Sequence, residues 1–245
     1  MFCDTHCHIL REYYEDIESV LEEAKEAGVF RVINAAYNLE SCNEVMALVK
    51  KYPEMYGVVG LHPENISEDF DYTIFDNLDK KIVGIGEIGL DYHYTKDNKD
   101  KQIEIFEHQL NIAEKLNLPV VIHSREAVGD TLEILKKHHN FGVIHSFSGS
   151  LEMAKEYIKL GFVLGVNGVV TFKNCNLSDT LKNIDINSII LETDSPYLTP
   201  VPFRGTQNNP AKMMNTAKFV ADIYGVSLSE LAKITNQNIK RIFDI

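Results

Sequence analysis

The sequence predicts an α/β protein of the (β/α)8 barrel type, a TIM-like barrel folded as a single domain over residues 1–245. Three observations lead there. Short runs rich in Val and Ile recur eight times, helix-like stretches separate them, and several runs are apolar on both faces. Strands that are apolar on both faces belong to parallel sheets covered on both sides. Regular alternation of this kind closes most simply into a barrel. An open doubly wound sheet is the competitor, but no GxGxxG fingerprint follows the first run.

The elements follow in order. Strand one spans 2–8 and leads to an amphipathic helix around 15–27; strand two spans 31–36, with a helix at 40–51. Strand three covers 55–62 and is followed only by a weak helix near 70–79. Strand four covers 82–88, before a helix at 98–117 in which Ile103, Phe106, Leu110 and Ala113 keep the three-to-four spacing of one buried face. Strand five (119–124) contains Pro119-Val120-Val121-Ile122, and a helix at 127–138 follows. Strands six (141–146) and seven (162–167) flank a helix at 151–160, and a weak helix at 176–183 precedes strand eight at 188–194. Closing helices fall at about 208–224 and 228–243, the latter opened by a capping-box pattern, Ser227-Leu228-Ser229-Glu230. With few basic residues, that last pair reads as barrel cover rather than a DNA-reading helix-turn-helix.

Composition narrows the function. No apolar run reaches the roughly 20 residues that span a bilayer, so no membrane partner is expected. The start lacks a basic and apolar leader pattern, so a cytoplasmic protein is expected. Cys3, Cys7, Cys42 and Cys175 form no CxxC pair and read as free thiols. Cys7 alternates to the face opposite its histidine neighbours. A net charge of −12 argues against a protein that holds nucleic acid on a broad basic surface. It leaves room for an enzyme that grips phosphate locally through metal ions.

A barrel carries its chemistry at the C-terminal ends of its strands. His6 and His8 end strand one, Glu87 strand four, His123 strand five, His145 strand six and Asp194 strand eight. His6 and His8 lie two apart, on one face, where two imidazoles can reach one ion. Six such residues converging without metal would leave buried acids and imidazoles competing for partners. Six ligands suit two divalent cations about 3.5–4 Å apart. Glu87, on a central strand, is the natural bridge. His6, His8 and Asp194 group on one ion because strand eight neighbours strand one, which leaves His123 and His145 for the other. Asp4 and Glu192 lie one pleat deeper; orienting imidazoles and pairing inside the barrel are both open to them. His93, His108, His138 and His139 read as surface residues.

These residues also resemble the TatD family of metal-dependent deoxyribonucleases, among the amidohydrolase-like metal barrels. The likeness runs through Asp4-Thr5-His6-Cys7-His8, Gly60-Leu61-His62-Pro63, Gly86-Glu87-Ile88-Gly89-Leu90-Asp91-Tyr92, His123-Ser124-Arg125-Glu126-Ala127, His145-Ser146-Phe147-Ser148-Gly149 and Glu192-Thr193-Asp194-Ser195-Pro196-Tyr197-Leu198. Arg204-Gly205 with Asn208 and Pro210 matches a late loop. The resemblance implies hydrolysis of DNA phosphodiesters from the 3′ end of a strand, and the same six ligands. Two departures bear on substrate preference: Glu64 stands where a second histidine is common, and Asn209 where an acid is common.

The expected mechanism uses a water whose pKa two divalent ions lower, with Asp194 accepting or orienting its proton. The ions are Mg, Mn, Zn, Co or Fe, which His and carboxylate donors do not distinguish. Arg125, Arg204 and His62 are candidates for holding substrate phosphate. Cyclic amidohydrolases often bridge their metals with a lysine after strand four, where this chain has Glu87. Histidinol-phosphatase-type enzymes add an Asp-x-His where this chain has Asp194-Ser195-Pro196. Another ester or amide, including an RNA-linked ester, stays as the alternative substrate, and a monomer is plausible.

Overall fold

The computed structural model describes residues 1–66, 69–93 and 97–245. Strands β1 (Phe2–Cys7), β2 (Val29–Ala35), β3 (Met55–Val59), β4 (Ile82–Asp91), β5 (Val120–Arg125), β6 (Gly142–Ile144), β7 (Phe162–Val166) and β8 (Ile189–Leu191) form one parallel sheet in chain order. The seam between first and last strands is closed by the functional segment itself. His8 N donates to Ser195 O at 2.7 Å and Asp194 N to His6 O at 2.9 Å. The predicted (β/α)8 barrel is therefore the observed fold.

Around it lie α1 (Ile17–Ala27), α2 (Leu39–Lys51), α3 (Lys99–Leu116), α4 (Val128–Leu135), α5 (Leu151–Lys159), α6 (Leu177–Leu181), α7 (Met213–Tyr224) and α8 (Leu228–Phe243). Local chemistry sets their ends. Asp16 caps α1 through Ser19 N, and Gly28 at φ 104° stops it. Ser227 caps α8 through Glu230 N, the N-cap half of the expected capping box. The weak helix near 70–79 is only a 3-10 turn over Tyr72–Asn77, because Phe75 alone is buried there and one apolar anchor cannot hold a full helix. The helix forecast at 208–224 begins with a 3-10 turn, Pro210–Lys212, before α7. None of the described helices is long and apolar enough to cross a membrane.

The strands divide the core in two. Outward side chains pack against the helices, with Phe106, Leu110 and Ala113 of α3 fully buried. Phe106 and Leu110 each contribute about 1.5–3 kcal/mol by leaving water. A separate cluster joins Ile33, Val58, Val121, Val143, Val163 and Ile190 to Ile242 and Phe243 of α8. Val121, Val143 and Ile190 precede His123, His145 and Glu192 by two residues, so they share their inward face one pleat lower. The polar centre thus rests on a dry floor.

Candidate metal centre

Several predicted strands end sooner than the sequence suggests. β1 stops at Cys7, β6 at Ile144 and β8 at Leu191, so His8, His145 and Asp194 stand just past the ladder. β4 instead continues three residues beyond the expected end, to Asp91. Ser146 (φ 48°) and Asp194 (φ 55°) adopt left-handed backbone, which turns the chain sharply as it leaves the sheet. Such strained residues collect at functional sites.

All six predicted ligands converge. Glu87 Oε2 lies 3.2 Å from His6 Nε2 and 3.7 Å from His8 Nε2. Its other oxygen, Oε1, lies 2.8 Å from His123 Nδ1, 3.5 Å from His62 Nε2 and 3.8 Å from His145 Nε2. Asp194 Oδ1 is 3.5 Å from His8 Nε2, 3.9 Å from His6 Nε2 and 3.6 Å from His145 Nε2. His6, His8 and Glu87 form one group able to hold a cation, and His62, Glu87 and His123 another. The donors fit divalent metal by type. His8 gives its Nδ1–H to Ala35 O at 2.9 Å, which leaves the Nε2 lone pair facing the centre.

His62 belongs to the second group by distance but not by tautomer. Its Nδ1 accepts from Glu64 N at 3.2 Å, so in the neutral ring Nε2 carries the hydrogen. It is a donor toward the centre.

Carboxylates and amides behind the centre hold it in place. Asp91 Oδ2 receives His123 Nε2–H at 2.9 Å. Glu192 Oε1 lies 3.0 Å from His145 Nδ1 and accepts from Ser146 N at 2.8 Å. Gly165 leaves room for it, since a Cβ there would sit 2.2 Å from Glu192 Oε2. Asp4 instead accepts from Thr193 N, Thr193 Oγ1 and His6 N, and ties β1 to the turn after β8. Of the two roles open to these acids, Glu192 faces an imidazole and Asp4 pairs inside the barrel.

The sequence reading missed Asp91, although it lies two pleats from Glu87 on the same face. It also missed three buried amides. Gln102 grips Asp91 N and O, Gln109 grips Leu61 N and O, and Asn34 grips Ile9 N and O. An amide offers one donor and one acceptor, which is what a residue leaving the sheet lacks. Each of these residues lies beside His8, His62 or His123. The prior signals were the polar residues Gln102 and Gln109 on the buried face of α3 and Asn34 within the apolar run of β2.

Charge is unevenly held. Burial disfavours a charged His123, but Asp91 and Glu87 overcome it and raise it to about 9. At His145 burial is likewise overcome, by Glu192, Glu87 and Asp194, and the value reaches about 10. His6 moves down through burial and the neighbouring His145. For Glu87, burial is outweighed by His145, His6 and His62, which hold it well below the usual range. Buried carboxylates matched by imidazole protons form a site where divalent cations can replace those protons.

The centre opens into a cavity of about 880 Å³, lined by His8, His62, Glu87, His123, His145 and Asp194 together with Glu12, Tyr13, Tyr37, Arg125 and Tyr197. Arg125 is the one Lys or Arg among the described residues lining it. Arg204 is not brought there; its guanidinium lies 3.7 Å over the ring of Phe172. His93 pairs with Glu126 at 2.6 Å, His138 with Glu114 at 3.3 Å, and His108 packs on Tyr72, all outside the centre. Cys7 turns away from the histidines, with its Sγ 3.5 Å from Ile33 O.

Comparison with known proteins agrees with this geometry. A family model described as TatD related DNase matches residues 3–244. The chain is 37% identical over 254 residues to the uncharacterized metal-dependent hydrolase YabD of Bacillus subtilis, covering 100% of both chains. It is 35% identical over 252 residues to the uncharacterized metal-dependent hydrolase YcfH of Escherichia coli, covering 99% of this chain and 95% of that one. The crystal structure of YjjV, a TatD homolog from Escherichia coli, superposes with a TM-score of 0.93 at 30% identity, over 100% of this chain and 98% of the other.

Proposed function

Because the chain belongs to the TatD-related family of metal-dependent hydrolases, we propose that it hydrolyses DNA phosphodiester bonds, working from the 3′ end of a strand. One observation carries the reading. Glu87 directs Oε2 at His6 and His8 and Oε1 at His123, so one carboxylate serves two donor groups. In this proposal His6, His8 and Asp194 would hold one divalent cation and His123 and His145 a second, with Glu87 contributing to both. When bound, the pair would supply Lewis acidity toward the phosphoryl oxygens and lower the pKa of an attacking water.

The chain's own residues do the rest. Asp194, held among His6, His8 and His145, accepts or orients the proton of the attacking water. His62 donates Nε2–H toward a substrate oxygen, and Arg125, which also lines the cavity, pairs with phosphate. Arg204, stacked on Phe172 and not among the residues lining the cavity, is assigned no phosphate contact in this proposal.

The test strips the protein with chelator and restores single metals. Each preparation then meets single- and double-stranded DNA, RNA, a simple phosphomonoester and small amides. Metal-restored cleavage of DNA, absent in His6→Ala and Asp194→Ala, is the expected result. Amide turnover without phosphodiester cleavage under any metal overturns the proposal in favour of amide chemistry.

A further inference from the structure

The lining of the cavity mixes two chemistries: Arg125 and His62 carry donors, whereas on the side of Glu12 the hydroxyls of Tyr13, Tyr37 and Tyr197 gather. Their hydroxyls form a chain whose direction is fixed from its acidic end. Glu12 Oε2 accepts from Tyr37 at 2.5 Å, so Tyr37 accepts from Tyr13 at 3.5 Å, and Tyr13 from Tyr197 at 3.1 Å. Every donor in the chain is committed. No hydroxyl remains to give a phosphate a hydrogen bond, and the Glu12 carboxylate repels one. What this side offers is ring surface. Tyr197 is 51% exposed, and its ring stands 6.5 Å from that of His8; the Tyr37 ring is 5.9 Å from His8 on another flank.

We infer that Tyr197, supported by Tyr13 and Tyr37, is a stacking platform for the nucleobase at the strand end, next to the phosphodiester over the metal centre. This rests on the proposed DNA hydrolysis and adds what the enzyme reads. Aromatic rings bind the π-face of any base and so tolerate sequence. Inside a strand both faces of a base are covered by its neighbours, whereas the terminal base leaves one face open, so the platform reads strand ends. The hydroxyl chain fixes the rings in place before substrate arrives, which lowers the ordering cost of stacking. The backbone beneath is anchored independently of the ring, since Asn208 Nδ2 donates to Tyr197 O at 2.7 Å and Tyr197 N to Asp194 O at 2.8 Å. Removing the side chain leaves that frame intact.

The test compares a single-stranded oligonucleotide ending in a normal 3′ nucleotide with one ending in a 3′ abasic sugar. With wild type, kcat/KM is expected to favour the base-bearing end by about 5- to 150-fold. In Tyr197→Ala that ratio collapses toward one, mainly through KM, and Tyr197→Phe restores it. A 3′-terminal 2-aminopurine gives a second readout. Its fluorescence is quenched on metal-loaded Asp194→Asn protein and on Asp194→Asn/Tyr197→Phe, but not on Asp194→Asn/Tyr197→Ala. Tyr13→Ala repeats the comparison if Tyr197→Ala fails to fold by circular dichroism. An unchanged ratio and unchanged quenching in a folded Tyr197→Ala overturn the platform while DNA hydrolysis stands. A wild type that cleaves neither substrate under any metal overturns both.

Discussion

The two halves of the centre are built from the same residue types but supported differently. On the β1 side, His8 is oriented by a neutral backbone carbonyl, Ala35 O, and His6 Nδ1 has no hydrogen-bond partner among the described residues. On the β5–β6 side, His123 is hydrogen-bonded to the Asp91 carboxylate, and His145 Nδ1, which like His6 Nδ1 makes no hydrogen bond among the described residues, lies 3.0 Å from the Glu192 carboxylate as an ion pair. A carboxylate behind an imidazole makes it a stronger base toward protons and metals alike. When metal is absent both histidines of the second half are raised, His123 to about 9 and His145 to about 10, whereas the first half is split: His6 is lowered, and His8 is raised because Asp194 and Glu87 outweigh its burial. Identical ligands need not make identical sites.

Glu87 is common to both halves, so Glu87→Gln should abolish the distinction between them. We expect bound metal to fall from two ions to one or none, and kcat to drop by about 1000-fold or more, the scale of losing Lewis-acid assistance. Elemental analysis after dialysis, together with turnover, checks this; two ions retained would break the shared-bridge account.

Asp91→Asn and Glu192→Gln should separate the halves. Each is expected to weaken one ion by about 10- to 100-fold and leave the other unchanged. Calorimetric titration of chelated protein resolves two classes of site; equal weakening of both would show that the halves are not independent.

The smallest effect concerns the chelated protein. His123 and His145, raised to about 9 and about 10 when folded, sit above the ordinary 6.5 of the unfolded chain. Folding thus takes up protons at these sites. Their stabilisation is complete below pH 6.5 and is lost as pH rises through about 9 and about 10. The thermal midpoint of metal-free protein should fall by a few degrees across that window, and far less once metal replaces the protons. A midpoint that rises with pH in chelator would contradict the proton-held state.

The sequence by itself determined the barrel, because runs apolar on both faces and helices with three-to-four spacing are local patterns that survive without knowledge of contacts. It also determined which six residues converge, since a barrel brings all its strand ends to one face whatever the details. Tertiary structure alone decided the supports. Gln102, Gln109 and Asn34 look like ordinary polar residues until the backbone of Asp91, Leu61 and Ile9 arrives opposite their amides. Asp91 became the partner of His123 only because β4 runs three residues past its apolar stretch. Arg204, which the sequence placed with Arg125 and His62, lies instead over Phe172, on an exposed loop whose course is set by hydrogen bonds such as Val201 N to Thr171 Oγ1 and Thr199 Oγ1 to Thr206 O. The tyrosines are separated by up to 184 positions in the chain and meet only at the mouth. Pairings between distant residues leave no periodic trace in sequence, whereas the strand ends do: each is marked by the apolar run that carries it.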